Sequence, residues 1–420
     1  MNNKNKNKDD NWKVFFALFF VIFVDVIGLC IVFPIIAPLV YDVHSSLLPA
    51  GLSLTAKNWI YALLLALWPL CLFFSAPILG DLSDKFGRKK VLLSCLFGEA
   101  IAYSIGAAAI SMQSLSLMVI SRIIAGIFAG SQPIAQAAIA DISTVENKTR
   151  NMSKIVLATT LGVVLGPLIG GFTANSHLFS FFSYATPFQV ATVIALLNAI
   201  LLLVTFKETH IVQHKLKVKW MKSIRLFTDA FKSEKIRVIS FIFFLIMISW
   251  SIYFQGLAFF LIKEYAFNTS KIGFFYGLIG IASAMTLTFG MNLLAKKIKQ
   301  EPILFLLGLI AMIICGILSS FSTAIYLQCI AAVLGAFGVA ITYTLSLSFY
   351  SNSVGEGKQG WIMGISGSLS GAGWAITALA IGPMSGIRDN LSFVTMLISA
   401  VACTIILLFS MKKIQRKIDS

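Results

Sequence analysis

The sequence predicts an all-α integral membrane protein, with twelve transmembrane helices arranged as two pseudo-symmetric six-helix bundles. Three observations carry that prediction. The 420 residues are 58% hydrophobic and only 12% charged, with a mean hydropathy of +0.88, outside the range of soluble domains. Apolar runs of about 20 residues, long enough to cross a ~30 Å hydrocarbon core as helix, recur along the whole chain. Lysine and arginine gather at alternate breaks between those runs, as in a chain threaded back and forth through a bilayer. Alternating strands supply no such runs, which excludes an outer-membrane barrel, and their recurrence excludes a single anchor carrying a soluble enzyme.

In chain order, residues 1–13 are a Lys/Asn-rich leader, and helix 1 follows at 14–40. No small-residue cleavage site follows a short apolar core, so this helix is expected to be retained. Helices 2 and 3, at 59–79 and 91–111, flank a short charged loop; helices 4, 5 and 6, at 115–140, 152–174 and 186–206, complete an N-terminal bundle spanning 14–206. A basic linker occupies 207–237. The C-terminal bundle, 238–411, holds helices at 238–262, 271–294, 302–320, 323–350, 359–381 and 391–411, followed by a tail at 412–420.

An even number of crossings puts both termini on one side, and 28 of the 33 basic residues fall on that side. Lys57, Lys263, Lys271 and Arg388 lie opposite, and Arg122 lies within a helix. The positive-inside rule makes the basic face cytoplasmic. The net charge of +16 is therefore a record of topology and calls for no nucleic-acid partner. In the linker, the stretch 215–220 and Arg225 suit an amphipathic helix on anionic lipid, with a solvated tether as the alternative. One shift of 209 residues carries both Gly126 onto Gly335 and Gly162 onto Gly371, which suggests a duplicated six-helix unit with its substrate site between the halves.

The six cysteines sit in apolar runs without metal-ligand spacing and are expected to be buried thiols. His44, His177, His210 and His214 fall in loops, so no metal site is expected. Asp25, Glu99 and Arg122 are the intramembrane charges, and charges at such depth face the bundle interior and either pair or work. Rises of ~1.5 Å per residue put Asp25 and Arg122 at similar depth and Glu99 about a turn nearer the cytoplasm. Asp25 is the expected partner of Arg122, and Glu99 the expected proton carrier, since an acid with alternating access can load and release a proton. The architectural alternative is an Asp25–Arg122 ion pair with Glu99 a neutral hydrogen-bonded acid.

Between helices 2 and 3 the chain reads Gly80-Asp81-Leu82-Ser83-Asp84-Lys85-Phe86-Gly87-Arg88-Lys89-Lys90. Glycines 80 and 87 suit a sharp reversal, and Asp84 can meet a helix N-terminus. This resembles the signature loop of the major facilitator superfamily. Asp25, Gly28 and Pro34 in helix 1, Arg122 to Gly126 and Asp141 in helix 4, and the glycine-proline segment Gly162, Gly166, Pro167, Gly170 and Gly171 in helix 5 narrow the resemblance to its drug:proton antiporters, the tetracycline-efflux type above all. Phe206 to His210 is similar to that family's end of helix 6. The likeness is dense over 20–210 and thinner after: Gly290 to Lys297 stands where a second signature loop belongs, without its acid or second glycine. Glu99 also stands three residues before the position of the family's helix 3 acid, which falls on Ala102 here. Ser131-Gln132-Pro133 departs from the small residues of the pattern.

The resemblance implies a proton-coupled exporter of a small amphiphilic molecule, a drug or an endogenous metabolite such as a siderophore, working as a monomer in a bacterial inner-membrane type bilayer. Asp25, Glu99 and Arg122 would couple protons, and Gly80, Asp84, Gly87, Arg88 and Asp141 would gate. Gln132, Gln136, Trp250, Tyr253, Gln255, Tyr276 and Tyr343 are the polar and aromatic candidates for substrate contact. The energy source is expected to be the proton gradient, with no cofactor and no enzyme activity, because no Walker-type motif and no nucleophile–base set is present. Proton-coupled nutrient uptake is the second reading, which the helix 5 glycines disfavour, and a non-transporting sensor or scaffold the third.

Overall fold

The computed structural model describes residues 3–418 except 43–44, 46, 50, 132–133, 136–137, 140–144, 207, 209–220 and 355–358. For 3–14, 145–156, 292, 295, 359–360 and 411–418 it describes the backbone alone. The described elements are all helical: α1 Asn3–Cys30, α2 Phe33–Tyr41, α3 Leu54–Phe86, α4 Arg88–Ser111, α5 Leu115–Phe128, α6 Val145–Thr173, α7 Thr186–Thr205, α8 Lys222–Lys232, α9 Arg237–Tyr265, α10 Thr269–Met285, a π turn Thr286–Gly290, α11 Met291–Lys297, α12 Glu301–Phe321, α13 Ile325–Asn352, α14 Gln359–Ile387 and α15 Leu391–Ile418. Among the described residues ten spans are long and apolar enough to cross a membrane, and two shorter apolar helices, Leu115–Phe128 and Leu157–Thr173, stand where helices 4 and 5 are expected.

Proline and glycine account for the departures from the expected helices. The first span is broken at residues 31–32, where Pro34 has no N–H to offer the carbonyl of Cys30 and the N–H of Ile35 bonds instead to Val32, 3.0 Å away. Helix 4 stops at Phe128, and its continuation is described only in pieces at 131, 134–135 and 138–139. The signature stretch is mostly helix rather than loop. α3 runs to Phe86 and α4 starts at Arg88, so Gly87 with φ of +95° makes the reversal alone. Gly80 lies inside α3 with open space around it, which corrects its expected part in the turn. Where a second signature loop is expected, the chain makes the π turn and α11.

The chain forms two compact units: Met1–Ala50 with Phe74–Trp220 and Thr269–Phe274, and Gly51–Phe73 with Met221–Asn268 and Phe275–Ser420. Thus the first part of α3 packs with the C-terminal helices and the first turn of α10 with the N-terminal ones. In the first unit α1, α4 and α7 share a core that includes Leu18, Ile22, Leu92, Cys95, Leu96, Ala199 and Leu202. In the second, α9 packs against α14 and α15, and α12 against α13 and α15. The amphipathic helix of the linker is α8, later than the expected 215–220, which lies outside the described residues. Its inner side, Ser223 and Ala230, is buried, and Phe227 and Phe231 meet Phe244 edge to face at 5.6 and 6.1 Å.

Candidate functional site

In the first unit α1, α4 and α5 bring the three intramembrane charges into one buried region: Asp25, Glu99 and Arg122 are 8%, 2% and 4% exposed. The carboxyls of Glu99 and Asp25 lie beside each other, close enough to share a hydrogen bond when one of them holds a proton. This differs from the expectation of Glu99 a turn apart from Asp25. α4 starts at Arg88 and α1 at Asn3, both before the expected 91 and 14, so rises counted from the expected starts do not decide which side chains meet. Ser131, fully buried, donates its hydroxyl to the other side of the cluster, Asp25 Oδ2. Tyr103, one turn beyond Glu99, lies within electrostatic reach of Glu99, Asp25 and Arg122. Its hydroxyl fills the space that a side chain at position 28 would need, so Gly28 of α1 is what admits Tyr103 to the acids.

The glycines of α6 have two separate jobs. Gly162, Gly166 and Gly170 face α1 at four-residue intervals: an added Cβ would stand 2.7 Å from Val26 Cβ, 2.6 Å from Cys30 Cβ and 3.0 Å from the carbonyl carbon of Ile31. Such a small-residue stripe lets two backbones touch, the usual route to tight association where lipid replaces water. On the other side, Gly171 meets Gly273 of α10, and Pro167 contributes a carbonyl 2.5 Å from where a Cβ on Gly273 would be. Ser270 bridges the same junction, donating to the Gly171 carbonyl at 3.0 Å and accepting from Asn175 at 2.8 Å.

At the Gly87 reversal, Arg88 pairs with Asp84 at 2.7 Å and donates to Ser83 at 2.5 Å. Glu208, just past α7, accepts from the backbone N–H groups of Arg88 and Lys89 at 2.9 and 3.1 Å. A carboxylate there satisfies donors that every helix start leaves over and complements its dipole. The lysine of the same turn, Lys89, donates to the Leu203 carbonyl at 2.8 Å, so α7 and the signature turn are joined twice.

The aromatic candidates belong to the second unit. Tyr253 stacks on Trp250 at 5.7 Å, and Tyr276 donates to the Phe254 carbonyl at 2.7 Å. Gln255 donates to the Trp374 carbonyl and to Thr377 Oγ1 at 3.2 and 3.1 Å. Tyr253, Gln255 and Tyr276 are fully enclosed, while Trp250 is half-buried and Tyr343 is 40% exposed beside Phe243. Gln132, Gln136 and Asp141 lie outside the described residues. Tyr103, Ser131, Glu208 and Ser270 had no place among the expected site residues; of these, Ser131 carried a sequence signal as a departure from the family pattern and Glu208 as part of the likeness at the end of helix 6.

A profile of the Major Facilitator Superfamily matches residues 18–378. The chain belongs to that superfamily. It is 35% identical over 187 residues to the class C tetracycline resistance protein of Escherichia coli, an alignment covering 44% of this chain and 43% of that protein. It is 26% identical over 365 residues to the class G protein of Vibrio anguillarum, covering 83% and 84% of the two chains. The match to the first of these relatives therefore spans less than half of that protein's length. Among solved structures, the human organic anion transporter MFSD10 (TETRAN) superposes with a TM-score of 0.70 at 18% identity over 94% of this chain and 99% of that one. A D-xylose–proton symporter superposes with a TM-score of 0.76 at 15% identity over 94% and 97%. These likenesses establish a multi-pass membrane transporter fold, and the substrate is a separate question.

Proposed function

We propose that this protein is a proton-coupled exporter of a small amphiphilic molecule, working by alternating access with both termini in the cytoplasm of a bacterial cell. The observation that carries the reading is the burial of the Glu99 and Asp25 carboxyls beside each other. Two carboxyls so placed share a hydrogen bond only while one of them holds a proton. Loss of that proton leaves two like charges side by side at low dielectric, which is relieved only if the surrounding donors rearrange. Ser131 donates to Asp25, and Tyr103 lies near both acids and Arg122; Ser131 and Arg122 stand outside the two helices that carry the acids, so proton occupancy and helix arrangement are linked. Arg122 would exchange its allegiance as the pair discharges.

Export is supported by the glycine stripe of α6 and by relatives named for tetracycline resistance. The partial identity to them leaves the substrate class at drug or endogenous amphiphile, met within the second unit by Trp250 and Tyr343. Anionic lipid would bind the basic linker, and the working unit would be a monomer. A substrate panel starting with tetracycline, in inside-out vesicles with and without an imposed pH gradient, tests the reading. Accumulation that needs the gradient and collapses with a protonophore is expected. Accumulation unchanged by the protonophore but stopped by ATP depletion would contradict it, and gradient-driven movement in the opposite direction would make the protein an uptake symporter.

A further inference from the structure

α3 contains Pro77, and the chain nevertheless runs as one helix from Leu54 to Phe86. In a continuous helix the carbonyl of Phe73 accepts from the N–H of residue 77, and proline has none. Inside a membrane bundle such a carbonyl takes its hydrogen bond from a neighbouring side chain. The donor here comes from 150 residues away: the hydroxyl of Ser223, on the first turn of α8, reaches Phe73 O at 2.5 Å. Ser223 is 1% exposed. Leu226, one turn on, seats α8 against Gly364 of α14, where an added Cβ would lie 3.3 Å from its side chain.

Just past this bond, Ser75 donates to the Gly126 carbonyl of α5 at 3.1 Å. The division between the two compact units falls between Phe73 and Phe74. The proline break, the hydroxyl from the linker helix and the passage of α3 from one unit to the other therefore coincide within five residues.

We propose that Ser223 is a positioning residue for α3: its hydroxyl substitutes for the N–H that Pro77 lacks, holds α3 at that gap in its hydrogen-bond ladder, and makes the linker helix a brace on it. Serine suits this role because its hydroxyl is short and the residue is buried at the carbonyl. The proposal is independent of which group carries the proton and of what is transported.

Two readouts on the full-length protein in detergent test it, thermal unfolding and hydrogen exchange of α3 peptides spanning residues 70–81. Ser223→Thr and Ser223→Val have nearly the same shape and differ in the hydroxyl. Ser223→Val should lower the melting temperature and raise exchange about fivefold, the worth of one ordinary hydrogen bond, while Ser223→Thr stays near wild type. Pro77→Ala restores an N–H at residue 77, so in that background Ser223→Val should change neither readout. Indistinguishable Thr and Val variants overturn the proposal, as does a Val effect of the same size with and without Pro77. If the Pro77→Ala protein does not purify, the Thr/Val comparison decides alone.

Discussion

Replacing Gly170 by alanine should separate α1 from α6. The added Cβ would press on the Ile31 carbonyl oxygen and stand 3.0 and 3.2 Å from the carbonyl and α carbons of the same residue, where ordinary contacts need about 3.4–4 Å. All three atoms are backbone, so no side chain can turn away and the helices must part by several tenths of an ångström. Overpacking of this kind costs about 1–3 kcal/mol, offset by the 0.5–1 kcal/mol or so that alanine gains over glycine within a helix. Gly80→Ala is the matched control: nothing lies within 4 Å of its added Cβ, so only the gain of about 0.5–1 kcal/mol remains. The two variants should therefore differ by about 2 kcal/mol with opposite signs against wild type. Thermal unfolding of the purified proteins in one detergent reads the order. A Gly170→Ala protein that melts with or above Gly80→Ala would refute the close-contact account of the α6 glycines.

Four further outcomes follow from the contacts. Glu208→Gln weakens the grip on the two N–H groups that start α4 and should cost about 1 kcal/mol in unfolding experiments; unchanged stability would mean the cap is unimportant. Ser131→Ala removes a buried donor to Asp25 and should cost about 1–3 kcal/mol, with Ser131→Thr milder. Asp84→Asn breaks an ion pair whose acid side chain is 46% exposed, so stability should move by less than about 1 kcal/mol while transport turnover slows; unimpaired turnover would leave a topological turn. Tyr184, in the segment between α6 and α7, has its phenol held above the usual range by burial and by its hydrogen bond to Asp42, 2.5 Å away. The folded state thus favours the neutral phenol, whose stabilisation is whole below the unfolded phenol's value of about 10 and fades as pH rises beyond it. The melting difference between wild type and Tyr184→Phe should be flat at moderate pH and shrink in alkali.

What the sequence could reveal was set by whether a residue's partner lies near it in sequence or is fixed only by packing. The apolar helices, the family and the burial of Asp25, Glu99 and Arg122 followed from charge against an apolar background, where one acid stands out. The meeting of Glu99 with Asp25 did not, because which side chains of two helices face each other is fixed by packing and not by a count of rises along each helix. Gly87 and Gly80 look alike as letters; only the backbone tells the one with positive φ from the one in a helix. Tyr103 and Ser223 carried no signal, since an isolated hydroxyl in an apolar run or a basic linker is ordinary and its meaning comes from Gly28 and Pro77 on other helices. Glu208 was visible as a family likeness, yet its capping of α4 needed the ends of α3 and α7 to be placed.

The central claim is that the Glu99–Asp25 pair exchanges the proton that drives transport, and one comparison tests it most directly. Proteoliposomes carrying wild type or Glu99→Gln are given a panel compound that wild type transports, first with an imposed pH gradient and then in gradient-free exchange of labelled for unlabelled compound. Glutamine keeps the shape and hydrogen bonding of a protonated carboxyl and cannot release a proton. The account predicts that Glu99→Gln loses gradient-driven accumulation and keeps the exchange. Gradient-driven accumulation at the wild-type rate in Glu99→Gln would contradict it.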